Sequence, residues 1–97
     1  MVSVIARIPV KEDRVAACLA ALEELTASVA QEPGALLYTV NRAAGEPHTL
    51  VVMERYRDQA ALDAHSSAPY LQSFFARLPD FLAGKPQVTV MEELLSI

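Results

Sequence analysis

Between His48 and Arg57 the chain reads as a β-strand that is apolar on both faces, with Leu50 and Val52 on one side and Val51 and Met53 on the other. Such a strand needs cover on each side, because an antiparallel sheet with one wet face alternates apolar and polar residues. The last expected strand, Gln87 to Leu95, repeats the pattern: Val88, Val90 and Leu94 on one face, Met91 and Leu95 on the other. The other elements follow from their periods. Val2 to Val10 reads as a strand with Val4, Ala6 and Ile8 facing one way and Ser3, Ile5 and Arg7 the other. Ala35 to Arg42 is a further strand, with Leu36, Tyr38 and Val40 on one face. Asp13 is expected to cap a helix reaching to about Gln31, with Val15, Cys18, Leu19, Leu22, Leu25, Thr26 and Val29 along one stripe. Asp58 is expected to cap a short helix from Gln59 to about Ser66, and Pro69 suits the first turn of the next, which carries Leu71, Phe74, Phe75 and Leu78. Pro79 breaks or kinks that helix.

The order β-α-β-β-α-α-β is the split βαβ pattern of an α+β, ferredoxin-like domain with an antiparallel sheet, and residues 1–97 are long enough for one such domain. Helices in this pattern cover one face of the sheet. No element is left for the second face, so the expected cover is a second copy of the chain, sheet to sheet about a twofold axis.

A net charge of −4 without a basic cluster argues against nucleic acid and against anionic membranes as partners. No apolar run approaches the roughly 20 residues of a membrane helix, and MVSVIARIPV lacks the basic start and cleavage site of a signal peptide, so a cytoplasmic location is expected. Cys18 is the only cysteine and is expected to be a buried core thiol. His48, His65 and Cys18 share no metal-ligand spacing, and three glycines supply no phosphate loop, so no metal or cofactor is expected.

His65 is the leading candidate for chemistry. An imidazole on an apolar helix face can take a proton from a phenolic or enolic substrate, or it can be a structural hydrogen-bonding group. Tyr38, Tyr56 and Tyr70 are candidates to hydrogen-bond or stack on an aromatic ring, with packing as the alternative. Phe74 and Phe75 are core or substrate wall. Glu54 ends an apolar strand and is expected to pair with Arg7, Arg42 or a residue of a partner chain, since a buried carboxylate needs such a partner. Arg7 and Asn41 are candidates to polarise a carbonyl.

Two motifs stand together: E-P-G-x-L-x-Y in Glu32 to Tyr38, and E-x-Y-x-D-x-x-A-L-x-x-H in Glu54 to His65. In this order and spacing they resemble the antibiotic biosynthesis monooxygenase family. The resemblance implies a dimeric α+β barrel with a pocket between sheet and helices in each protomer. For the quinol-oxidising members it also implies oxidation of a small aromatic hydroxy compound by O2 without metal or flavin. Haem-degrading relatives use an asparagine in the first strand, a tryptophan on the short helix and a histidine on the next. This chain has none of these there, so haem degradation is not expected. The functional expectation is a cofactor-independent monooxygenase with His65 as proton acceptor. The alternatives are a non-catalytic dimeric binding module for a small hydrophobic metabolite, or a cofactor-free isomerase.

Overall fold

The computed structural model describes residues 1–97. Its elements are β1 (Val2–Pro9), α1 (Val15–Val29), β2 (Ala35–Arg42), β3 (Thr49–Tyr56), α2 (Gln59–Ser67), α3 (Pro69–Arg77) and β4 (Gln87–Glu92). The sheet is antiparallel throughout, in the order β2-β3-β1-β4. This is the expected α+β, ferredoxin-like arrangement. No helix is long and apolar enough to cross a membrane.

Register follows from which side chains each strand buries. β1 pairs with β3 so that Val4 lies opposite Glu54, Ala6 opposite Val52 and Ile8 opposite Leu50. These residues face the helices. Together with Cys18, Leu22, Leu25 and Val29 of α1 and Leu71 and Phe74 of α3, several of them form the main apolar core. Burying side chains of this kind contributes about 1.5–3 kcal/mol each relative to exposure. Val4, Tyr56 and Leu62 form a smaller cluster under α2.

Four local expectations change. Asp13 is not a helix cap. The chain enters α1 through a 3-10 turn at Glu12–Arg14, in which Arg14 N–H donates to the Lys11 carbonyl at 2.9 Å, so a backbone carbonyl takes the place of a capping side chain. Leu19 is 42 % exposed, because the buried stripe of α1 is the narrower set Cys18, Ala21, Leu22, Leu25 and Val29, and Leu19 falls at its rim. β2 carries a bulge between Ala35 and Leu37, which takes Leu36 out of the alternation and leaves Tyr38 and Val40 facing the helices opposite Glu54 and Val52. β4 stops at Glu92, paired with Val2 near the start of β1, so Leu94 and Leu95 lie beyond the ladder and are exposed.

Around α2 the expectations hold. The Asp58 carboxylate accepts from Ala61 N–H at 2.8 Å in extended backbone geometry, and Pro69 opens α3. The break at Ala68 lets α2 lie over the end of β3 while α3 turns toward α1. The face of the sheet away from the helices has no cover within this chain. Leu37 and Met53 there are 42 % and 44 % exposed.

Because Asp58 fixes the helix that carries His65, Asp58→Ala is expected to lower stability in urea unfolding by about 1 kcal/mol, the usual worth of an N-cap.

Candidate functional site

A cavity of about 220 Å³ lies between the helices and the sheet. Val4, Ala6 and Ile8 of β1 form its floor, Leu71, Phe74 and Phe75 of α3 one wall, and Val88 and Val90 of β4 its rim. The rim is open because β4 is the edge strand and no helix covers it: Phe75, Val88 and Val90 are all exposed. The polar lining consists of Tyr38, Glu54, His65 and Ser66, set against predominantly hydrophobic walls.

His65 is buried and bonded on one side. Its Nδ1 lies 2.9 Å from Glu32 Oε2. An ionised carboxylate only accepts, so Nδ1 carries the proton and donates. In the neutral imidazole that leaves Nε2 with its lone pair. Nε2 stands 3.6 Å from Glu54 Oε1, beyond hydrogen-bond length and close enough for one substrate hydroxyl to touch both. The carboxylates are themselves held. Tyr56 donates its hydroxyl to Glu54 Oε1 at 2.6 Å, and Tyr70 donates to Glu32 Oε2. The result is a chain of polar groups, buried at His65, Glu54 and Tyr56 and half-buried at Tyr70 and Glu32: Tyr70, Glu32, His65, Glu54, Tyr56.

Several parts of the sequence converge to build it. Glu32 sits in the turn that ends α1, where Glu32 N–H bonds to the Val29 carbonyl. Gly34 in that turn lets α2 approach: a Cβ at position 34 would collide with the Cβ of Ala61. Arg57 N–H bonds to the Gly34 carbonyl at 2.9 Å and ties the turn to the end of β3. The close approach of turn and α2 puts Glu32 within bonding distance of a histidine 33 residues later.

Burial raises the Glu54 carboxyl above its ordinary 4.5; Glu32 adds to the rise, while the Tyr56 hydrogen bond and the nearby imidazole oppose it. All three tyrosines are shifted up. Burial is the largest cause for each, followed for Tyr38 by the charges of Glu54 and Glu32 and for Tyr56 by its bond to Glu54. Tyr70 is pushed up to about 12 by burial and its bond to Glu32. The tyrosines are therefore donors, and none is a phenolate base at neutral pH.

Of the residues expected at a site, His65, Glu54, Tyr38, Phe74 and Phe75 line the cavity. Tyr56 and Tyr70 stand behind it and hold the two carboxylates. Arg7 and Asn41 are not part of it. Both lie on the opposite face of the sheet, where Arg7 pairs with Glu46 at 2.9 Å and Asn41 donates to the Val51 carbonyl at 3.1 Å. Arg7 alternates with Ala6 and Ile8, which face the helices, and that parity takes its guanidinium away from the cavity. No arginine of this chain partners Glu54: Arg7 lies on the other face, and Arg42 lies opposite Leu50, too far along β3 from Glu54, so Tyr56 and His65 are its neighbours instead. Glu32 was not among the expected site residues: Glu32-Pro33-Gly34 reads as a helix stop. The signal that would have found it is a carboxylate fixed in a turn beside the segment carrying His65. No three His, Cys, Asp or Glu side chains converge to hold a metal ion.

The fold is shared with known proteins. The structure of Rv0793 from Mycobacterium tuberculosis superposes with a TM-score of 0.92 at 32% sequence identity, over 98% of this chain and 96% of that one. That protein bears the name "Putative monooxygenase Rv0793", and the sequences align over 93 residues, 96% of this chain and 91% of the relative. "Putative monooxygenase YcnE" of Bacillus subtilis is 27% identical over 92 residues, 95% of this chain and 97% of its own. A Synechocystis protein, "Uncharacterized protein sll1783", is 29% identical over 83 residues, and the match spans only 56% of its length. The family model for antibiotic biosynthesis monooxygenases matches residues 1–77. The chain belongs to the antibiotic biosynthesis monooxygenase family.

Glu54 gives a test of the site's energetics. Its folded carboxyl has a higher proton affinity than the unfolded one, so the folded state binds the extra proton, and this group's contribution to stability falls as pH rises from about 4.5 through the raised value. Glu54→Gln keeps an acceptor for Tyr56 and removes the charge. Thermal melts are expected to show the variant at least as stable as the parent at pH 7–8, with the difference vanishing below pH 4.5.

Proposed function

We propose that the protein is a cofactor-independent monooxygenase that oxidises a small aromatic hydroxy compound, quinol-like, with O2. The observation that carries this is the cavity's one polar end, where the lining residue His65 is bonded through Nδ1 to Glu32 and has Nε2 on the side of Glu54, itself a lining residue. Membership of the family and the monooxygenase names of two relatives support the reaction class.

The chemistry follows from that arrangement. The substrate hydroxyl lies against Nε2 and gives up its proton. The Glu32 carboxylate stabilises the imidazolium that forms, and the ring stays in place because Nδ1 remains bonded. The resulting anion is electron-rich and passes one electron to O2, giving a substrate radical and superoxide. Recombination forms a carbon–oxygen bond. The peroxide then loses water, leaving one oxygen atom on the substrate as a carbonyl and releasing the other as water. The substrate supplies every electron, so no redox partner enters the balance. The protein provides proton removal, orientation and an apolar cavity. Glu54 and Tyr38 border the reacting hydroxyl.

The active assembly is proposed to be a homodimer of 97-residue domains joined through the uncovered face of the sheet. Leu37 and Met53 are exposed there, and Ile5, Val51 and Met91 are only partly covered. Met91 rather than Val90 lies on this face, since Val90 rims the cavity.

With a panel of hydroquinones in an oxygen electrode, uptake above buffer is expected for the parent protein. A loss of about 10²–10⁴-fold is expected for His65→Ala, the usual worth of a positioned base. Tight binding of the aromatic without oxygen uptake would instead indicate a binding module, and conversion without uptake an isomerase. Sedimentation at micromolar concentration is expected to give twice the chain mass of 10.5 kDa, with Met53→Asp shifting the protein toward monomer or out of solution.

A further inference from the structure

We propose that this cavity selects aromatic alcohols that enter uncharged, and that it rejects aromatic acids of the same size and shape. The proposal rests on the monooxygenase reading for its substrate class and adds a rule of charge to it.

The rule comes from what surrounds the polar end. Two carboxylates flank the only imidazole, Glu32 on Nδ1 and Glu54 near Nε2. No lysine or arginine lines the cavity. The cations with partners face elsewhere: Arg7 to Glu46, Arg55 to Glu93, Arg57 to Asp58 and Arg77 to Glu24, while Arg14 lies over the Phe81 ring. A carboxylate or phosphate brought to His65 would meet Glu54 with no cation to offset it. The surrounding walls are apolar, where an unpaired anion is strongly disfavoured. A neutral hydroxyl has no such difficulty. It can donate to Nε2 and accept from Tyr38. Its negative charge is then created inside the site, as an ion pair with the imidazolium, and need not be carried in from water.

Size points the same way. A cavity of about 150 Å³ holds benzene. The 220 Å³ here admits one ring or two fused rings. The open rim of Phe75, Val88 and Val90 is apolar, so the end of the molecule away from the hydroxyl is hydrocarbon.

The test uses binding, which keeps it separate from turnover. 2-Naphthol and 2-naphthoate are titrated into the intact protein at pH 7.5, followed by calorimetry and by the His65 ring signals in NMR. Naphthol is expected to bind and to shift the His65 signals. Naphthoate is expected to bind weaker by about a hundredfold, the scale of a like-charge juxtaposition in a dry site. In Glu54→Gln the gap is expected to narrow about tenfold. Should that variant fold poorly, 2-naphthamide, the uncharged counterpart of naphthoate, gives the same readout in the parent protein, where it should bind about as well as naphthol. Equal or tighter binding of naphthoate, no binding of naphthol, or a gap that ignores both Glu54→Gln and the loss of charge in naphthamide would overturn the proposal. Oxygen uptake combined with a preference for acids would sink this rule and leave the monooxygenase standing. The expected preference without oxygen uptake would do the reverse.

Discussion

His65 lies buried with a carboxylate toward each ring nitrogen, Glu32 at 2.9 Å from Nδ1 and Glu54 at 3.6 Å from Nε2. Polar groups removed from water must find partners within the protein, and here each does: Tyr70 closes one end of the chain and Tyr56 the other. The arrangement draws together the turn after α1, the end of β3, α2 and the start of α3. Around it the local sequence is tightly constrained. Gly34 makes room for Ala61, Asp58 starts α2, and the break at Ala68 frees α3 to carry Tyr70 back over Glu32.

This polar chain works against stability at one member and for it at others. Burial resists ionisation of Glu54, and the domain is small, with limited apolar core to offset such a cost. The hydroxyls of Tyr56 and Tyr70 lessen the penalty by bonding the carboxylates. A carboxylate held against its preference beside an imidazole, at the only polar end of an apolar cavity, is a pattern expected of sites that move protons.

Much of this was legible in the residues, and the exceptions have physical causes. Period and caps gave the element order, and the i, i+1, i+4 spacing of Ala61, Leu62 and His65 put the histidine on the inner side of α2, where it lies. Strand parity likewise placed Arg7 with Ser3 and Ile5, away from the helices; its candidacy for the site ran against its own alternation. Leu36 was misplaced because a bulge changes parity without any mark in composition. The exposure of Val88 and Val90 depends on β4 being the edge strand, which is a fact of sheet order and not of any local pattern. Glu32 opens the first motif, yet its role at the site is not legible there, because its partner is 33 residues away and nothing in the spacing of a helix stop reveals a bond to a distant imidazole.

The central claim is that Glu32 fixes the imidazole as its Nδ1–H tautomer, leaving Nε2 as the base that faces the cavity. Long-range ¹H–¹⁵N correlation spectra of the ¹⁵N-labelled protein, recorded at mildly alkaline pH, read this directly. A protonated Nδ1 and an unprotonated Nε2 on His65, with that preference lost in Glu32→Ala, is the result the account predicts. A proton on Nε2 in the parent protein, or a tautomer that does not respond to Glu32→Ala, would contradict it.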